Sequence, residues 1–312
     1  MGRKRKFGRD LNGVLIVDKP AGETSNGVLQ RAKKLFFAAK AGHTGSLDPF
    51  ATGVLPVCFG EATKFSQYLL DADKEYLATF NFGAATDTAD IEGKIISEAD
   101  ASALTLAEVK KGVKKYTGEI LQVPPMYSAL KKDGRPLYEL ARQGIEVERE
   151  ARPVTVYEFE VLGFYPGENA TMDCRISCSK GTYIRSLAED IGRDLKVGGY
   201  VASLRRTAAG PFKESQAFTL ESLTELRGDE RAEVLDNRLL PMDAPVSSLE
   251  KVTLLDSSAF YFSRGQAVMD IEASRCGEEG DIVRVFQESG DFLGVGEITG
   301  DGGVAPKRLV VS

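Results

Sequence analysis

Residues 42–65, GHTGSLDPFATGVLPVCFGEATKF, hold the chain's single histidine, His43, and an aspartate, Asp48, five positions further on. Gly42, Gly45, Pro49, Gly53, Pro56 and Gly60 punctuate the stretch and exclude a long helix or an unbroken strand. Asp48 precedes Pro49, which biases its backbone to extended geometry and presents the carboxylate from a loop. An Asp-Pro pair alone more often marks an ordinary Asx turn. The Gly-His-Thr-Gly-Ser lead-in and the Gly-Glu-Ala-Thr-Lys exit specify more than a turn, and the stretch reads as a functional loop.

Working outward, the chain's 312 residues suffice for one large domain and a small one. With 42% hydrophobic and 28% charged residues it reads as soluble, globular and cytoplasmic. No apolar run reaches membrane-spanning length, and the basic N-terminus lacks the apolar stretch of a signal peptide. The four cysteines, Cys58, Cys174, Cys178 and Cys276, are dispersed, and one histidine cannot complete a zinc site with them at usual spacing. They are expected to be buried thiols, and no metal is expected. The net charge of −6 argues against a polyanionic partner, but its distribution does not. Ten Lys and Arg fall within residues 1–40 against three acidic residues, so that part is +7 and the remainder −13. An acidic protein arranged in this way can still present a basic groove. Residues 1–8 read equally as a solvated basic arm.

Taken in order, 12–18 reads as a buried strand entering the Lys19-Pro20-Ala21-Gly22 turn. Thr24 or Ser25 caps a helix with Val28, Ala32, Leu35 and Phe36 on one face. Residues 75–82 alternate as a strand, and Thr105-Leu-Ala-Glu108 is a capping box. Residues 152–165 and 171–179 are β-rich, and Ile184, Leu187, Ile191 and Leu195 mark a helix beyond Lys180-Gly181-Thr182. Strands and helices alternate without a strict βαβ rhythm, so the expected class is α+β with a mixed, largely antiparallel sheet flanked by helices. The texture changes near 241–249, and after Lys251 short strands with glycine turns predict a small antiparallel β module. The expected domains are therefore 1–250 and 251–312.

The loop resembles the signature of the bacterial tRNA pseudouridine-55 synthases, the TruB family. The likeness extends through "GVLIVDKPAGETS", "DKEYLATFNFGAATDTADIEG", "PPMYSALKKDGRPLYELARQGIEVEREARPVTVY", "SKGTYIRSLAEDIG" and "LRRTAAGPF". It implies a pseudouridine synthase catalytic domain with a C-terminal PUA-like module, isomerising a uridine in the T stem-loop of tRNA without a guide RNA. Making pseudouridine breaks the bond from ribose to the ring nitrogen, rotates the base and rejoins it through carbon. The product has the same atoms, so the reaction calls for no cofactor. It does call for a nucleophile beside the glycosidic bond, a cradle for the detached uracil and a base for the last proton.

The resemblance assigns the nucleophile to Asp48 and its cationic partner to Arg185, and Tyr76 to stacking and to taking or relaying the last proton. An isolated arginine at the start of a helix would otherwise read as a surface residue. A carboxylate buried without a cation would take up a proton. Tyr183 matches the other aromatic position of the pocket, and a flipped base is held by such stacking. His43 falls against the place the flipped nucleotide vacates, and Leu204 on the pocket wall. Lys19 and Pro20 resemble a short motif packed beneath the loop, read as structural support. Lys33, Lys34, Lys131, Lys132, Arg135, Arg142, Arg205 and Arg206 are candidate RNA backbone contacts, with 81–93 and 127–151 as RNA-clasping loops. The expected partner is tRNA, with no membrane and no obligate protein partner, and the expected state is a monomer. Three other readings compete. A guide-RNA-dependent synthase would carry a larger RNA-binding tail. A non-catalytic RNA-binding protein would not need Asp48. An aspartate-nucleophile hydrolase would need a second acidic motif for its metal.

Overall fold

The structure, a computed structural model, describes residues 7–132, 134–270 and 275–311. Most of the basic arm expected over 1–8 therefore lies outside the described residues. Gly13–Lys19 (β1) is apolar at nearly every position and is buried on both faces. Thr24 caps Ser25–Leu35 (α1) by accepting from the Gly27 N–H at 3.0 Å. Ala41–His43 (β2) and Thr52–Phe59 (β3) flank the Asp48 loop. A 3₁₀ turn at Gly60–Phe65 runs into Ser66–Leu70 (α2), and Lys74–Phe82 (β4) follows. Ala84–Thr86 (β5) and Ile95–Glu98 (β6) make a separate hairpin. The capping box of Thr105 and Glu108 opens Leu106–Lys115 (α3), ahead of Gly118–Gln122 (β7).

A minimal ribbon of Lys131–Lys132 (β8) and Arg135–Pro136 (β9) precedes Leu137–Ala141 (α4). Arg152–Tyr165 (β10), Thr171–Cys178 (β11), Ile184–Asp194 (α5), Gly199–Ala209 (β12), Phe212–Lys213 (β13) and Leu220–Arg227 (α6) complete the larger unit. Its nine-stranded sheet runs β1-β3-β12-β4-β11-β10-β7, with β2 on β3 and β13 on β12. Every ladder is antiparallel except β3 with β12, where Arg205 pairs with Thr52 and Arg206 with Gly53. That one parallel junction sets β12 beside the strand that leaves the Asp48 loop. Gly53 makes it possible: its φ is +101°, and a Cβ there would lie 2.2 Å from the Arg206 carbonyl oxygen.

Val109 and Val113 of α3 and Leu187 and Ile191 of α5 are packed with Phe80, Phe82, Met172 and Ile176 of the sheet. A second core gathers α1 and α6 with β1 and β3, through Val28, Ala32, Leu223, Leu15 and Leu55. Each such fully buried side chain contributes about 1.5–3 kcal/mol relative to exposure, enough to hold the helices against the sheet.

The C-terminal strands are Lys251–Leu254 (β14), Val268–Met269 (β15), Ile282–Gln287 (β16), Phe292–Ile298 (β17) and Gly303–Leu309 (β18), with Asp256–Phe262 (α7) after β14. They form a separate five-stranded sheet. The module was expected to be purely antiparallel, yet β14 and β16 pair in parallel. A parallel pair needs a crossover, and the segment through α7 and β15 supplies it. The module sits against the exit of the Asp48 loop: Phe292 lies 5.1 Å from the buried ring of Phe65 and 5.2 Å from that of Phe286. Lys64 Nζ donates to the Leu309 carbonyl at 2.9 Å, and the Val311 N–H donates to Glu61 at 2.8 Å. Of the cysteines, Cys58, Cys174 and Cys178 are buried and Cys276 is only half-buried.

Candidate active site

The loop that carries Asp48 is fixed from three sides by buried polar groups. Lys19, fully buried at the end of β1, donates through Nζ to the carbonyls of Pro20 (2.8 Å), Pro49 (3.0 Å) and Ala51 (2.7 Å). Burial lowers that ammonium to about 8, against the pull of Glu23, Asp48 and Glu92. Ser25, the first residue of α1, accepts from the Leu47 N–H and donates to the Leu47 carbonyl. Arg206 reaches from β12 to the carbonyls of Val54 (2.8 Å) and Gly45 (2.9 Å). These carbonyls have left regular pairing, and a buried carbonyl without a partner costs about 1–3 kcal/mol. The donors hold the turn together with the Gly22 N–H, which donates to the Pro49 carbonyl at 2.8 Å.

Arg206 thereby changes its reading. It is 1% exposed and holds the loop from below, so it has no surface to offer a phosphate. Arg205, next in line, is already paired with Asp18 at 2.9 Å and Glu214 at 3.0 Å. Lys131, Lys132, Arg135, Arg142 and Lys34 are exposed, and Lys33 is half-exposed, as phosphate contacts require. Lys132 and Arg135 also bond within their own loop, to the Glu148 carbonyl and Gln143.

Arg185 lies in the first turn of α5 and is 4% exposed. Its Nε stands 2.9 Å from Asp48 Oδ2 and its Nη2 donates to Oδ1 at 3.3 Å, a two-point fork on the carboxylate. The remaining donors meet the Thr88 carbonyl at 3.0 Å and the Tyr127 carbonyl at 2.7 Å. Asp90, also buried, lies 3.5 Å from Nη1. Burial pushes the Asp48 carboxyl above its ordinary value, with Arg185 and Lys19 drawing it back and Asp90 adding to the rise. Arg185 therefore opposes the rise without cancelling it. The Asp48 side chain keeps 38% of its surface, so it is crowded by protein yet open on one side to an incoming group.

Tyr76 stands on β4 between Ile176 of β11 and Arg206 of β12. Burial raises its phenol, against the nearby Arg206, so it is a neutral hydroxyl near pH 7. Tyr183 is the residue before α5, and burial raises its phenol too. His43 ends β2, and burial followed by the Arg206 charge lowers its imidazole, which is neutral with an unpartnered Nδ1. Leu204 faces Ala78 across the β12–β4 ladder and helps line an open cleft of about 640 Å³ with Phe50, Thr52, Ile91 and Glu92. The structure thus gathers Asp48, Arg185, Tyr76 and His43 around Arg206 and the loop, with Tyr183 and Leu204 on flanking elements.

Sequence reasoning passed over Asp90, Gln122 and Ser128. Residues 81–93 were read as an RNA clasp, but Thr88 and Asp90 point inward to Arg185, and Ala89 takes φ +58° between them. A short Asp-Thr-Ala-Asp turn carries no signal that would place its second carboxylate inside.

Residues 33–184 match the TruB family pseudouridylate synthase (N terminal domain). Residues 185–247 match the tRNA pseudouridylate synthase B C-terminal domain, and 251–310 the pseudouridine synthase II TruB C-terminal family. The tRNA pseudouridine synthase B of Saccharophagus degradans is 66% identical over 99% of both chains. The chain belongs to the TruB family of pseudouridylate synthases.

A second TruB relative, the tRNA pseudouridine synthase B of Stutzerimonas stutzeri, is 50% identical over the whole of both chains. Among solved structures, the protein of an H/ACA RNP bound to a substrate RNA containing 2'-deoxyuridine superposes with a TM-score of 0.71 at 26% identity, covering 100% of this chain and 92% of that one. As a TruB enzyme the chain is an isomerase, and the expected α+β synthase fold is the observed one. Among the described residues no helix is long and apolar enough to cross a membrane, and no three His, Cys, Asp or Glu side chains cluster as metal ligands.

Proposed function

We propose that this TruB enzyme converts uridine to pseudouridine in tRNA, at position 55 of the T stem-loop, as a monomer without a guide RNA. The Asp48–Arg185 fork carries the reading. It holds one carboxylate ionisable, fixed in direction and open on a single side, which is what attack beside a glycosidic bond requires. The substrate uridine leaves its stack and enters between Tyr76 and Tyr183. Asp48 is the nucleophile, at the ribose carbon or at the pyrimidine ring. The nitrogen–ribose bond breaks, the uracil turns within the pocket, a carbon–ribose bond forms, the bond to Asp48 breaks to return its carboxylate, and the ring carbon gives up its proton. Tyr76, a neutral phenol, relays that proton. His43, uncharged and with a free Nδ1, fills the place the base has left.

Residues 1–250 carry the chemistry in this reading, and the sheet that begins at Lys251 is the PUA-like module that adds RNA surface. Relatives named for tRNA, matched over the whole chain, support the substrate. The test uses tRNA tritiated at carbon 5 of its uridines. Wild type should release tritium to water, and Asp48→Asn should release none above background while retaining tRNA affinity. Turnover in Asp48→Asn at a tenth of wild type or more would refute the role of Asp48.

A further inference from the structure

Helix α5 carries Tyr183 at its N-cap position and Arg185 in its first turn, yet the Tyr183 side chain makes no capping bond. Its backbone is satisfied from 61 residues away. Gln122, the last residue of β7, accepts from the Tyr183 N–H through Oε1 at 2.8 Å and donates from Nε2 to the Tyr183 carbonyl at 3.1 Å. Gln122 is 2% exposed. A carboxamide carries an acceptor oxygen and a donor nitrogen on one carbon at any ordinary pH, so it can take both backbone groups of one residue. The segment that follows stays on the same turn: Ser186 Oγ donates to the Val123 carbonyl at 3.2 Å, and Arg185 to that of Tyr127 at 2.7 Å.

We propose that Gln122 is a positioning residue for the reaction: it sets the Tyr183–Arg185 turn, and through that turn the direction of the arginine fork on Asp48. The inference rests on the Asp48 site described above. Without the amide, the half-buried Tyr183 N–H loses its partner and the carbonyl keeps only the Leu187 N–H at 3.3 Å, so the turn must move to find partners. The fork spans only two bonds, so a shift of an ångström at Arg185 disengages it, and misplacement on that scale costs on the order of a hundredfold in rate. RNA affinity should be indifferent, because the exposed cations of 131–142 lie elsewhere.

The experiment compares full-length Gln122→Met and Gln122→Glu in single-turnover tritium release from tRNA, with tRNA binding and Tm measured in parallel. Gln122→Met should lower the rate at saturation tenfold or more, with binding within about twofold of wild type. Gln122→Glu accepts from the Tyr183 N–H but donates to its carbonyl only when protonated. Arg152 is the ladder partner of that position on β10 and Tyr183 its neighbour ahead of α5; the cation favours an ionised carboxylate there and burial opposes it, so the proton is gained as pH falls. Its rate relative to wild type should therefore rise only at the acid end of the profile. Leu223→Ala, buried in the α1–α6 core, controls for lost stability and should leave the rate unchanged. A wild-type rate in both Gln122 variants overturns the proposal, as does a loss confined to tRNA binding, or an equal rate loss in Leu223→Ala at matched Tm. If Gln122→Met does not fold, the acid-end recovery of Gln122→Glu decides alone, and its absence overturns the proposal. Asp48→Asn is run alongside: activity there refutes the site itself, and inactivity leaves the Gln122 comparison as a test of positioning only.

Discussion

Replacing Arg185 by methionine keeps most of the apolar stem and removes the charge that forks onto Asp48. At an N–O contact of 2.9 Å, the two charge centres lie about 4 Å apart, worth about 4 kcal/mol at an effective dielectric of 20. Breaking such a pair when fully buried costs roughly 3–5 kcal/mol. Asp48 keeps 38% of its side-chain surface, so solvent screens part of that, and about 2–3 kcal/mol is the fitting range. Losing that interaction moves the carboxyl further upward. The sign follows from the starting point. Burial already raises the Asp48 carboxyl, and Arg185 is the largest influence opposing that rise. The proposed attack needs the ionised form, so the acid limb of the pH–rate profile should move to higher pH in Arg185→Met, with a large loss of turnover at neutral pH. Single-turnover tritium release between pH 5 and 9 reads both effects. Arg185→Lys should recover only part, because a point charge cannot reproduce the planar fork. A wild-type pH profile with near-normal turnover in Arg185→Met would refute the pairing as the source of Asp48's ionisation.

Changing Lys131 and Lys132 to alanine should weaken tRNA binding and flatten the slope of log affinity against log salt by somewhat under two units, as fewer counterions are released; binding titrations at several salt concentrations check it, and an unchanged slope would place the β8–β9 ribbon away from RNA. Phe292→Ala should lower stability by about 3–5 kcal/mol, seen as a drop in Tm, because it opens a cavity against Phe65 and Phe286. Cutting the chain after residue 250 should do more, since it bares the Phe65 ring at the exit of the Asp48 loop; a truncate with an unchanged Tm for the larger unit would contradict that.

Much of the site was legible from Gly42 to Phe65, because local chemistry there has local causes. Glycines and prolines exclude regular structure, Pro49 presents Asp48, and a capping box or an apolar period of 3.6 announces a helix wherever it stands. The class of the fold followed from the same rules, as did the start of a second β unit at Lys251. What only the tertiary structure decided were matters of distance between remote residues. Arg205 and Arg206 are adjacent and chemically identical, yet β12 turns one to Asp18 and Glu214 at the surface and the other beneath the loop to the carbonyls of Val54 and Gly45. The alternation of a strand dictates that they differ, but not which face is buried. Asp90 and Gln122 lie 95 and 63 residues from Arg185 in the chain, and no pattern along it says that one will face the guanidinium while the other holds the turn beneath it. Nor does any local rule put the C-terminal sheet against Phe65, since an apolar side chain is driven only to leave water, and which surface receives it depends on how the whole chain has packed.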